Sequence, residues 1–164
     1  MLKKLLLLVV TGFFLASCAA TNTQQGGDVD AASSSTSSGS DSSITAGTQE
    51  DLIVNVGDRV FFEFDSSELT VDAQATLDAQ AAWLMQYPDT NITIEGHADE
   101  RGTREYNLAL GDKRAFAVYS YLAQAGIDTN RMDYVSWGKE RPEVIGSDET
   151  AYGQNRRGVT IVSN

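Results

Sequence analysis

The stretch EGHADERGTREYNLALGDKR, residues 95–114, decides how the chain is read, because hydrophobic period 2 gives way there to helical spacing. Just before it, Ile92 and Ile94 alternate with Thr93 and Glu95, which predicts a half-buried strand over residues 91–95. Gly96 to Gly102 then interrupts the pattern with a charged, glycine-bounded loop. A helix is expected next, with Thr103 as N-cap, Glu105 in the first turn and Gly126 just past the end. Asn107, Gly111, Arg114 and Val118 share one stripe of it. The apolar spacing centres the buried face on Leu108, Ala115, Tyr119 and Leu122, which leaves Asn107 and Arg114 at the edge of that face.

Asp99 leaves the strand end and Arg114 comes off the second or third turn of the helix, so opposite charges can flank one cleft. Two readings stand side by side. The pair are surface charges, or a weak ion pair with each other. Alternatively they are the two jaws of a site for a zwitterion, a carboxylate accepting from an ammonium and an arginine fork gripping a carboxylate.

Around this centre the pattern predicts one α/β domain over residues 51–164. VFFEF over residues 60–64 reads as a strand, and residues 65–69 turn the chain. Thr70 caps a helix with Ala73, Leu77, Ala81 and Leu84 at helical spacing, stopped by Pro88. MDYVSW over residues 132–137 reads as a third strand, a loop with Pro142 follows, and residues 150–153 form a short helical turn. Residues 158–163 read as the last strand. The order β-α-β-α-β-β implies an α/β sandwich, one mixed sheet with helices on one face. The three phenylalanines at 61, 62 and 64 are expected in the core, with Phe64 a candidate wall of a site.

Residues 1–17 form a signal peptide: Lys3 and Lys4, an apolar run about half the ~20 residues that a membrane span needs, then LASC. Leu15, Ala16, Ser17 and Cys18 resemble the bacterial lipobox, which makes Cys18 the lipid-bearing first residue of the exported chain. It is the sole cysteine, so no internal disulfide is available. Ala19 in the next position resembles a signal for sorting to the outer membrane. Residues 18–50 are rich in Ser, Thr, Gly, Ala and Gln and cannot form a core. As a tether they would span ~30 Å on average and ~110 Å taut.

The formal net charge is −11, and removing Lys3 and Lys4 makes it more negative. So acidic a chain is no nucleic-acid binder. Glu95, His97 and Asp99 would share one face only if the strand ran unbroken through Gly96, and a fourth ligand is lacking, so no metal is expected. His97 is the only histidine, no G-x-S-x-G elbow exists, and neither a Walker loop nor G-x-G-x-x-G is present. No catalytic set and no cofactor follow. Asn155, Arg156 and Arg157 concentrate positive charge before the last strand, and only one of two adjacent arginines on an extended chain can face a ligand.

Taken together, GHADERGTREYNLALGDKRAFAV, with FFEFDSSEL before it and SWGKERP and NRRGV after, closely resembles the OmpA-like family of peptidoglycan-binding domains. The resemblance covers about residues 60–162. It implies a non-enzymatic domain that holds the stem peptide of peptidoglycan through diaminopimelate, with Asp99 contacting the ligand and Arg114 taking its carboxylate. It further implies Asn107, Asp65 and one NRR arginine, Arg157, as ligand contacts. Lys113, Gly158 and Arg104 depart from residues frequent in the family, away from those contacts. The lipid-anchored members imply Tol-system partners, TolB first and TolA second, with TolB and peptidoglycan in competition, and a role tethering the outer membrane to the wall at division. Other classes remain as alternatives: a periplasmic hydrolase of wall material, or a protein-interaction module with a vestigial wall site.

Overall fold

The computed structural model describes residues 44–163. The leader, Cys18 and the tether up to residue 43 lie outside the described residues. In chain order the elements are α1 (Gln49–Asn55), β1 (Arg59–Phe61), α2 (Val71–Gln86), β2 (Ile92–His97), α3 (Arg104–Gln124), a 3-10 turn (Thr129–Arg131), β3 (Met132–Gly138), α4 (Glu149–Asn155) and β4 (Arg157–Val162). The strands form one mixed sheet in the order β1-β4-β2-β3. β4 runs antiparallel to both β1 and β2, while β2 and β3 are parallel. A parallel pair needs a long crossover, and α3 supplies it.

Capping threonines start the two long helices as the sequence requires: Thr70 accepts from the backbone of Ala73, and Thr103 from that of Tyr106. Leu77, Ala81 and Leu84 of α2 and Ala115, Val118 and Leu122 of α3 bury against Val60, Ile92, Ile94 and Met132 of the sheet in one core. The mixed sheet with its main helices on one face is the expected architecture.

Four local expectations are corrected. The boundary drawn between residues 50 and 51 falls inside α1, which the polar composition concealed. Thr48 caps α1, Leu52 is fully buried, and the Gln49 amide donates to the carbonyl of Thr160 and accepts from the backbone N–H of Val162 at 2.6 Å. Asp51 accepts from the indole of Trp83 at 2.9 Å, so α1 is fastened to α2.

The first strand is shorter than VFFEF and starts earlier. Val60 and Phe62 are buried, whereas Phe61 and Phe64 are exposed. Phe62 still donates its backbone N–H to Arg156, and beyond it the chain turns away toward Asp65, a residue with φ of 53°.

Strand β2 continues through Gly96 to His97, with a register shift between them. Gly96 is therefore not a break. A Cβ there would overlap the carbonyl oxygen of Gly111, so the glycine pair lets α3 lie directly on β2.

That close approach also rotates α3. Its buried residues are Asn107, Gly111, Arg114, Ala115, Val118 and Leu122, while Leu108 is half exposed. The stripe with the two polar side chains faces inward, because the side of a helix without side-chain bulk at Gly111 is the side that can touch a strand.

Candidate functional site

The loop after β1, the loop after β2 and the first three turns of α3 enclose a cleft of about 160 Å³. It is smaller than the ~300 Å³ at which drug-sized pockets begin, and suits one terminal group of a larger ligand. Asp65, Asp99, Asn107 and Arg114 all line it, with Phe64, Arg101 and Tyr106 as further walls. Four of the five residues expected to bind therefore meet in one place.

Arg114 forms the floor. It has no exposed surface, and its guanidinium donates to three backbone carbonyls: Nε to Ser66 at 2.8 Å, Nη1 to His97 at 2.8 Å and Nη2 to Glu63 at 3.1 Å. These bonds tie the loop after β1 to the end of β2 and leave two of the five N–H donors uncommitted to protein. No carboxylate among the described residues comes within 4.0 Å of it to make an ion pair. Burial pushes its pKa down to about 10, partly offset by the charge of Asp99, so it remains a cation at neutral pH.

Asp99 stands across the cleft. The backbone N–H of Ala98 donates to Gly138 at 2.8 Å, which fixes where the chain leaves β2. The carboxylate is 5% exposed and accepts from Arg101 three times, from its backbone N–H, from Nε at 3.1 Å and from Nη2 at 2.6 Å. Burial alone would raise its pKa. The Arg101 bonds and the charges of Arg101 and Arg156 outweigh that and hold it below the ordinary aspartate value.

Asn107 is buried and donates its amide to the carbonyl of Arg101 at 2.8 Å, so it braces the loop that carries Asp99. Asp65, exposed at the rim, accepts from the hydroxyl of Tyr106, which raises the pKa of that phenol. Phe64 walls the opening, and the Arg101 guanidinium lies 4.2 Å from its ring centre.

Arg157, expected as a ligand contact, does not line the cleft, and neither does Arg156. The Nη2 of Arg157 lies 3.4 Å from Glu143 and 3.3 Å from the carbonyl of Arg141. The reason is strand alternation: α4 ends at Asn155 and β4 begins at Arg157. Gly158 and Thr160 face α3 and α2, so Arg157 points to the opposite side of the sheet. Arg156 approaches Asp99 at 3.5 Å instead, anchored by the carbonyl of Phe62 and by Glu149 at 2.7 Å. Arg101 and Tyr106 line the cleft and are not among the site residues expected from the sequence. The D-x-R spacing at residues 99–101, which lets an aspartate accept from the backbone two residues on, was the available signal for Arg101.

His97 faces Glu95 at 3.4 Å between side chains, while the carboxylate of Asp99 is turned toward the arginines. The three residues therefore do not converge. Burial, joined by the charge of Arg157 and opposed by Glu95, drops the His97 pKa to about 4, so its ring is neutral at pH 7. Its contribution to the cleft is the backbone carbonyl that holds Arg114.

A buried cation and an opposing carboxylate in so small a space can grip a zwitterionic end group by hydrogen bonds and charge. The OmpA family profile matches residues 61–156, which contain every cleft residue. The chain belongs to the OmpA family, and within it to the peptidoglycan-associated lipoproteins. A peptidoglycan-associated lipoprotein of Rhizobium meliloti (strain 1021) is 58% identical over 118 residues, covering 72% of this chain and 67% of the relative. One from Brucella melitensis is 56% identical over 119 residues, covering 73% and 71%. The crystal structure of the peptidoglycan-associated lipoprotein from Burkholderia pseudomallei is similar at a TM-score of 0.63 and 44% identity, over 65% of this chain and 90% of that one. The C-terminal domain of Helicobacter pylori MotB shares the OmpA-like fold at a TM-score of 0.60 and 22% identity.

Proposed function

We propose that the cleft holds the peptidoglycan stem peptide by the distal carbon of its diaminopimelate, without covalent chemistry. The observation that carries this reading is Arg114, a fully buried guanidinium that lines the cleft, has two N–H donors to spare and has no carboxylate partner among the described residues. A buried cation is costly until an anion reaches it, so the site favours a ligand carboxylate. Asp99 lies across the cleft to accept the ammonium on the same ligand carbon, Asp65 adds negative charge at the rim, and Asn107 holds the loop in place.

The rest of the reading follows from the family. Cys18 would carry the lipid that fixes the chain in the outer membrane, and residues 19–43 belong to the tether that lets the folded domain reach the wall. TolB, and after it TolA, would be its protein partners, and the cellular role would be to hold outer membrane and wall together during division. Pull-down with purified sacculi tests the central step. The wild type is expected in the pellet and Asp99→Asn in the supernatant. Equal pelleting of the two would remove the cleft from the account, and release of soluble wall fragments would favour the hydrolase reading instead.

A further inference from the structure

The Asp99 side of the cleft is already filled by the protein itself. Oδ1 accepts the backbone N–H and Nε of Arg101, and Oδ2 accepts its Nη2 at 2.6 Å, with Nη1 of Arg156 at 3.5 Å from the same oxygen. Three hydrogen bonds from Arg101 and the nearby charge of Arg156 take up most of what this carboxylate can accept, so a ligand ammonium competes with a guanidinium for it. Arg156 cannot readily give way, since its side chain is 10% exposed and is pinned by the carbonyl of Phe62 and by Glu149. The Arg101 side chain is 35% exposed and lies in a slot between two rings, 4.2 Å from the centre of Phe64 and 4.3 Å from that of Tyr152. Nη1 already touches Glu149 at 3.3 Å, whose side chain is 66% exposed and offers an acceptor on the outward path.

We propose that Arg101 is an internal competitor for the ligand's ammonium: it occupies Asp99 in the free protein, swings outward toward Glu149 on binding, and so sets the affinity of the cleft. This rests on the reading of the cleft as a zwitterion site. The backbone N–H of Arg101 remains on Asp99 through the exchange, so the carboxylate keeps its orientation while its cation is replaced. A ligand bearing only a carboxylate engages Arg114 and leaves Arg101 in place. One that also carries an ammonium competes with it for Asp99, and its apparent affinity falls as the fraction of molecules with Arg101 off Asp99 falls. The ring of Phe64 that Arg101 vacates becomes apolar surface for the methylenes of the ligand.

The test is calorimetric titration of the full-length chain in detergent with a diaminopimelate-containing stem tetrapeptide, comparing wild type, Arg101→Gln and the double variant Arg101→Gln/Asp99→Asn. Loss of the competing charge is expected to tighten binding about tenfold in Arg101→Gln, and the double variant is expected to lose that gain. Unchanged or weaker binding by Arg101→Gln, with the wild type binding, overturns the competitor and leaves the cleft assignment standing. Absence of binding by every form overturns both. A measurement on the wild type alone needs no variant to fold: the Nε–H resonance of Arg101 should move on saturation with the peptide while that of Arg156 stays. An unmoved Arg101 resonance overturns the inference.

Discussion

The guanidinium of Arg114 donates to the backbone carbonyl of His97 at 2.8 Å, so a cation on α3 and the last residue of β2 form one unit. The same side chain holds Glu63 and Ser66 by their carbonyls. The residue proposed to grip the ligand is thus also a structural pin, and its substitution is expected to act on both properties. Arg114→Ala leaves three carbonyls without their donor and is expected to cost about 3 kcal/mol, lowering Tm by roughly 10 °C in thermal unfolding. Arg114→Lys keeps the charge but not the fork, and is expected to lose most wall binding at a smaller stability cost. A Tm for Arg114→Ala equal to wild type would contradict the pinning role.

Asp99→Asn separates binding from stability more cleanly, because the amide is isosteric and Arg101 is partly exposed. Binding to sacculi should fall at least about tenfold, with a smaller fall in Tm than for Arg114→Ala, since the charge that Arg101 and Arg156 stabilise is lost while the shape is kept. Since the Asp99 carboxyl sits below its ordinary value, its charge persists into mild acid. Binding measured down a pH series should therefore persist through mild acid and fail only below the ordinary aspartate range. A loss of binding centred near neutral pH would point to a different group.

His97 predicts a pH dependence of stability. Its folded pKa of about 4 lies below the unfolded value of about 6.5, so the unfolded chain takes up a proton first. The contribution is complete above pH 6.5 and is lost as pH falls toward 4, by an amount on the order of 2–3 kcal/mol. Urea unfolding at pH 7 and pH 5 should show a larger difference for the wild type than for His97→Gln. Equal differences would remove His97 as the source.

Truncation should expose the role of α1. A chain beginning at Asp51 lacks the Thr48 cap and the Gln49 amide that meets Thr160 and Val162 of β4. It is expected to be about 2 kcal/mol less stable than one beginning at Ile44, through one lost cap and one lost pair of hydrogen bonds. Identical urea midpoints for the two would show that the cap and first turn of α1 contribute nothing.

The strand, loop and helix at the centre of the site were legible because Ile92 and Ile94 alternate and because Thr70, Thr103 and Gly126 mark helix ends by local chemistry. What stayed hidden depended on tertiary contact. Hydropathy places Asn107 and Arg114 at a rim. Only the touching of Gly96 and Gly111 shows that their stripe is the buried one. The first turn of α1 has the composition of the tether that precedes it, so Gln49 carried no local sign of its partners in β4. Arg156 and Arg157 differ only in strand phase, which depends on where α4 stops.

The central claim is that Asp99 and Arg114 read the two charges on one ligand carbon. Calorimetric titration of the full-length chain with a diaminopimelate-containing stem peptide, beside the same peptide with lysine in its place, tests this most directly, because lysine keeps the ammonium and lacks the distal carboxylate. Binding to the diaminopimelate peptide with at least about tenfold weaker binding to the lysine peptide is the predicted result. Equal affinity for the two peptides would contradict it, since Arg114 would then be contributing nothing to recognition.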